Sequence, residues 1–183
     1  GERNLQCSEM QSRAHELIVA TVVSIDPERG NVVLDLGKGG TAVLPRNEQV
    51  PGETFTEGQT VQVYVVDVLA TDRGPRVTIS RTHPGLVKRM FELEVPEIYD
   101  GTVEVKAIAR EAGARTKLAV WSKNPDVDPV GACIGARGAR VEKIVQELNG
   151  EKIDVIRWSE DITEFISAAL SPAKVVKVEL LPG

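Results

Sequence analysis

From His15 to Thr82 apolar and polar residues alternate in short, β-branched runs: "ELIVATVVSID", "GNVVLDLG", "GGTAVLP", "TVQVYVVDVLA" and "PRVTIS". A period of two marks a strand with one covered face, and the intervening "DPERG", "GKGG", "PGETFTEG" and "TDRGP" are turn formers. Five short strands in so brief a stretch predict a small closed barrel, because an open sheet of that size would leave long unpaired edges. After "SRTHPG" the period changes. "GLVKRMFELEVPEI" sets Leu86, Val87, Met90 and Phe91 at helical spacing, and Pro96 is expected to stop that helix. The strands "TVEVKAIARE" and "RTKLAVWS" follow, joined by a turn at Gly113, and "KNPDVDP" leads into a short helix ending near Ile134. "ARVEKIVQELNG" carries Val141, Ile144, Val145 and Leu148 on one face up to Gly150, and "EKIDVIRW" reads as a third strand. The order α-β-β-α-α-β predicts an α+β layer with helices over one face of a three-stranded sheet.

The last stretch, "EDITEFISAALSPAKVVKVELLPG", gives a helix, a proline stop and a strand with nothing after them to pack on. It is expected to open another module. Together with a first residue that is Gly1 and not Met, it points to a piece of a longer chain. The expected division is a linker at 1–14, the barrel at 15–82, the α+β part at 83–159 and an incomplete module at 160–183, with a short hinge around Thr82 to Gly85.

Composition narrows the class. Apolar residues at 42% and charged residues at 27% belong to a soluble globular protein, and no apolar run reaches the roughly 20 residues that span a bilayer. The net charge of -5 argues against indiscriminate polyanion binding. Residues 83–159 nevertheless hold 12 Lys/Arg against 12 Asp/Glu, whereas residues 1–82 hold 8 against 11, so any basic surface belongs in the middle of the chain. Cys7 and Cys133 are too few and too far apart for a disulfide framework or a zinc site, and His15 and His83 are isolated. No metal, no cofactor and a reducing cytoplasm are expected.

The stretch "GACIGARGARVEKI" carries the chemistry. Gly135 and Gly138 interrupt what otherwise looks like a buried helix, and glycine belongs where backbone turns sharply or meets a ligand. A Gly-x-x-Gly turn between two helices, preceded by Ile134 and followed by Val141 and Ile144, is the signature of the K-homology (KH) module, whose turn presses on the backbone of about four unpaired nucleotides. Without side chains at 135 and 138, phosphates are expected to approach backbone amides and the start of the second helix, where the helix dipole favours negative charge. Arg137 lies between the glycines, and Arg140 and Lys143 follow. A cation at a helix start opposes the dipole, so a nearby anion would explain it. The plainer reading, glycines that only permit a helix-to-helix turn, is outweighed by the order of elements and the flanking aliphatic residues. No strand runs into the turn as in a dinucleotide fingerprint, and no Gly-Lys-Ser or Gly-Lys-Thr follows as in a phosphate loop.

Other candidates carry less. Asp126 and Asp128 read as turn and capping groups, Glu92, Glu94 and Glu97 as a solvated face, and Cys133 as a small packing residue. No Ser/His/Asp or Cys/His set has supporting context, so no enzyme activity is expected.

At length the match goes beyond the turn. "RGPRVTISRTHPGLVKRMFELEVPEIYDGTVEVKAIAREAGARTKLAVWS", "DVDPVGACIGARGARV", "ELNGEKIDVIRWSED" and "AALSPAKVVKV" closely resemble the NusA family of bacterial transcription elongation, termination and antitermination factors. The resemblance implies a five-stranded S1 domain of the oligonucleotide-binding (OB) barrel type, a first KH domain of the prokaryotic (type II) topology with three strands and three helices, and the start of a second KH domain. It implies single-stranded RNA as partner, with RNA polymerase and other elongation factors reached through the intact protein. Neither a membrane nor a partner copy is implied. By position it places the loop at Gly135, Ala136, Arg137 and Gly138, and the groove at Ile134, Val141, Ile144 and the strand around Lys152, Ile153 and Asp154. The barrel departs from many S1 domains in offering only Phe55 and Tyr64 as aromatics, so a weak contribution to RNA affinity is expected there, with Arg73, Arg76 and Arg81 as candidate phosphate contacts. Two alternatives stay open: an RNA-binding appendage of an exoribonuclease, and a KH-fold protein-interaction module that no longer binds RNA.

Overall fold

The structure is a computed structural model that describes residues 14–37 and 40–158 and the backbone of 177–180. The chain divides into two compact units, Gly1–Leu86 and Val87–Gly183.

In the first unit β1 (Leu17–Ile25), β2 (Val32–Asp35), β3 (Thr41–Leu44), β4 (Thr60–Thr71) and β5 (Gly74–Ser80) form one sheet in the order β3-β2-β1-β4-β5. Every neighbouring pair is antiparallel, and β3 comes against β5 so that the barrel nearly closes. The alternation read from the sequence is the inside-outside alternation of these strands: Ile18, Ala20, Val22, Leu34, Leu44 and Val63 point into the core. Bulges between Val22 and Ser24 and between Val65 and Asp67 add the local twist that a small barrel needs. Neither aromatic is a free stacking surface. Tyr64 is buried, stacks on His83 with centroids 4.6 Å apart and lies 3.1 Å from His15 Nδ1, while Phe55 packs partly against the core.

Arg81 differs from its expected role. Its Nε and Nη2 donate to Glu53 at 2.8 and 2.5 Å and its Nη1 to the Gln62 carbonyl at 2.5 Å, with both side chains of the pair at or below 5% exposure. A guanidinium so enclosed ties the end of β5 to the barrel and faces no phosphate. At the start of the stretch expected to hinge, Thr82 donates a hydroxyl bond to Glu48, as does Ser80 before it.

The helix α1 (Pro84–Glu94) starts on a proline, whose fixed φ suits a first helical turn. Pro96 does not simply stop it. Val95 takes an extended conformation (φ -108, ψ 105) and Pro96 opens a short second helix, α2 (Pro96–Tyr99), for the same reason. The second unit continues with β6 (Val103–Glu111), β7 (Arg115–Ser122), α3 (Pro129–Ile134), a 3-10 turn (Ala136–Gly138), α4 (Ala139–Glu147) and β8 (Lys152–Arg157). β6 and β7 form an antiparallel hairpin. β8 pairs parallel to β7, which the helical crossover through α3 and α4 permits. To the expected three strands a fourth is added: β9 (Lys177–Leu180) pairs antiparallel with β6, giving the order β8-β7-β6-β9. The remainder of the expected module at 160–183, Cys7 and most of the expected linker lie outside the described residues.

A buried ion pair locks this sheet. Arg110 and Glu151 are 1% and 0% exposed; Arg110 Nη2 donates to Glu151 Oε1 at 3.0 Å and Nε to Oε2 at 3.1 Å. Thr116 Oγ1 (2.6 Å) and the Gly113 amide (2.8 Å) donate to the same carboxylate, so both oxygens are loaded. Glu151→Gln leaves the buried guanidinium without its countercharge, and breaking such a pair typically costs about 3–5 kcal/mol. Urea denaturation should show that loss as a lower midpoint at unchanged slope.

Candidate nucleic-acid interface

The turn is built by two short helices that meet head-on. Asp128 caps α3, its Oδ1 accepting from the Val130 amide at 3.1 Å, and Pro129 fills the first helical position. α3 ends at Gly135 with φ 78 and ψ 173, a conformation open essentially to glycine alone. Arg137 (φ 57, ψ 26) and Gly138 (φ 75, ψ 13) are both left-handed, after which α4 begins. The loop stands in the open: Ala136 and Arg137 are exposed, Gly135 and Gly138 half-buried.

The two glycines do different things. A Cβ on Gly135 would lie 2.7 Å from Arg140 Cγ, whereas a Cβ on Gly138 would meet nothing within 4 Å. Three of the amides have partners inside the turn. The Gly135 amide donates to Gly131 O at 2.9 Å, that of Gly138 to Gly135 O at 3.1 Å and that of Ala139 to Ala136 O, so these donors are spent on closing the turn. What the loop presents outward is bare chain at Gly138 and the Arg137 side chain, which makes no hydrogen bond or ion pair with any described residue.

The acidic run is not merely solvated. Glu97 Oε2 accepts from Arg140 Nη1 at 2.9 Å, and the same nitrogen donates to the Ala132 carbonyl at 2.7 Å. Glu94 Oε2 lies 3.2 Å from Lys143 Nζ, and Glu92 pairs with Lys88 and Arg89. Of the three expected cations, only Arg137 lacks a partner among the described residues. The Arg140–Glu97 and Lys143–Glu94 contacts join residues more than 40 positions apart, and no local pattern in the sequence marks them.

The groove residues separate by depth. Ile134 and Val141 are half-buried and line the surface beside the turn, but Ile144 is 3% exposed and lies beneath it, as core. α3 and α4 both lie against β8, which is an edge strand among the described residues. Along β8, Ile153 is half-buried while Lys152 and Asp154 are exposed, the alternation of a strand with one covered face. Asp154 Oδ2 stands 3.9 Å from Arg115 Nε. Arg73 and Arg76 are exposed on the β4–β5 hairpin. Among the described residues no group of three His, Cys, Asp or Glu could hold a metal ion, and no helix is long and apolar enough to cross a membrane.

Two family models match, an S1 RNA-binding domain over residues 12–80 and a NusA-like first KH domain over residues 81–158. The transcription termination/antitermination protein NusA of Halalkalibacterium halodurans is 58% identical over 149 residues, 81% of this chain and 39% of that protein. Its counterpart from Bacillus subtilis is 50% identical over 177 residues (97% and 47%), and that from Thermus thermophilus 47% over 181 residues (99% and 46%). The chain belongs to the NusA family. It spans about half the length, or less, of these NusA relatives. S1 followed by NusA-type KH, shared with transcription proteins, sets aside an exoribonuclease appendage.

Two outcomes test the local structure of this NusA-family turn. Gly135→Ala combines a forbidden backbone with a clash on the Arg140 stem, whereas Gly138→Ala bears only the left-handed cost of about 1 kcal/mol; urea midpoints should fall further for the first. Cys133 is fully buried, and burial first, then the Glu97 charge, pushes its thiol up to about 12. The folded thiol therefore stays protonated where the unfolded one, near 9.0, ionises, so stability is full below that value and declines as pH rises toward about 12. Denaturation midpoints compared on either side of 9.0 should show this fall, and Cys133→Ala should remove it.

Proposed function

We propose that this chain holds single-stranded RNA as the RNA-binding segment of a bacterial transcription factor, and that the intact protein modulates pausing, termination and antitermination by retaining nascent or leader RNA. The carrying observation is the turn Gly135–Gly138, with bare backbone at Gly138 and an exposed Arg137 just before α4 that has no partner among the described residues. Phosphates settle over the open side of the turn near the helix start, and Arg137 supplies the counter-charge. Bases lie along Ile134 and Val141 toward β8, whose main chain at Lys152, Ile153 and Asp154 offers donors and acceptors on an edge. Arg73 and Arg76 are candidate contacts for RNA beyond the turn. The segment acts by binding and not by catalysis, as a cytoplasmic monomer, and the intact protein meets RNA polymerase and other elongation factors through parts outside this chain. Residues 160–183 are read as the start of a second KH domain.

A second reading has one observation in its favour. Arg140 and Lys143 are both ion-paired to Glu97 and Glu94, which leaves little free positive charge and suits a KH fold that docks protein.

RNA titration separates the two. Ala136→Asp with Arg137→Asp should abolish binding of unpaired RNA while circular dichroism stays unchanged. If about four phosphates are engaged, log affinity should fall against log salt with a slope of roughly -3. Unchanged affinity in the double variant, or a flat salt dependence, would favour the protein-docking reading.

A further inference from the structure

We infer that Arg140 is a positioning residue that sets the turn for RNA and is not itself a phosphate contact; this rests on the clamp reading above. A cation in the first turn of α4 opposes that helix's own dipole, so something other than the helix must hold it there. The structure supplies it. Arg140 Nη1 reaches back to the Ala132 carbonyl at 2.7 Å, in α3, and to Glu97 Oε2 at 2.9 Å, in α2. The final carbonyls of a helix lack partners within it, and a guanidinium there meets both an orphan acceptor and the favourable end of the dipole. One nitrogen thus ties three helices together around the turn.

The stem of the same side chain fills the place where Gly135 has no Cβ, with Arg140 Cγ 2.7 Å, and its Cβ and Cδ 3.0 Å, from where that atom would be. The first glycine therefore makes room for Arg140, and the second, with open space around it, is left for a ligand. To touch a phosphate Arg140 would have to leave both acceptors and release the strut. The division of labour follows: Arg137 meets the polyanion, and Arg140 keeps the loop in the shape that lets it. Lysine cannot take over fully, because its stem is one bond shorter and its ammonium stops short of the place that Nη1 holds between the two acceptors.

The test uses the 183-residue chain with a short unpaired RNA. Arg140→Met and Glu97→Ala should each weaken binding about tenfold by loosening a charge-assisted bond. The slope of log affinity against log salt should stay that of the unsubstituted chain, whereas Arg137→Gln should flatten it by about 0.7. In the RNA-free Arg140→Met protein the NMR amide signals of Gly135 and Gly138 should shift. Should the Met variant fail to fold, Arg140→Lys carries the same test, with partial affinity and an unaltered slope. The inference is overturned if the Arg140 variant flattens the slope as Arg137→Gln does, if its affinity is unchanged, or if Glu97→Ala tightens binding by freeing the guanidinium. An unsubstituted chain without RNA affinity would sink the clamp reading instead, and the Gly135 and Gly138 signals would then decide the strut by themselves.

Discussion

A polypeptide that leaves one helix and enters another within a few residues has to break its right-handed run, and the KH unit is organised around a turn that does so with left-handed backbone. Gly135, Arg137 and Gly138 all carry positive φ. Left-handed conformations cost a non-glycine residue about 1–2 kcal/mol, so the Arg137 backbone is held in place by its surroundings. The amides of Gly135, Gly138 and Ala139 close the turn from inside, and the Arg140 stem fills the space beneath it. What remains outward is a small surface that carries the exposed Arg137 charge, shaped by what is spent within.

Charge around this surface is economical. Residues 83–159 hold equal numbers of basic and acidic groups, and the fold uses the acidic ones of α1 and α2 to occupy the cations of α4. Half-exposed pairs of this kind contribute little to stability. Their larger effect is on the field: a chain with net charge -5 attracts no polyanion from a distance, so affinity has to come from contact at the loop and groove. The barrel adds no exposed stacking ring, with Tyr64 enclosed and Phe55 on the core.

Much of the fold was legible because it rests on periodicity. The five strands of the barrel and the succession of helices and strands after Pro84 follow from where apolar residues recur, and the Gly-x-x-Gly turn announces itself by composition. What escaped the reading depends on partners distant in the chain. Nothing beside Arg81 indicates that Glu53 will enclose it, and nothing in the run containing Glu94 and Glu97 points to α4. Pro96 ends the first helix as its ring requires, and what the reading missed is local: the same ring is pre-set to begin the next helix. Ile144 shares a helical face with Val141, and periodicity alone does not distinguish the rim of a groove from its foundation.

The carboxylate of Glu151 has one further consequence. It sits immediately before β8 and is gripped by Arg110, Thr116 and the Gly113 amide. Sliding β8 by a single position past β7 would swing Ile153 outward and pull a charged group off all three anchors. The strand, an edge among the described residues, is thereby pinned lengthwise, so that a pull along its axis works against a buried charged anchor.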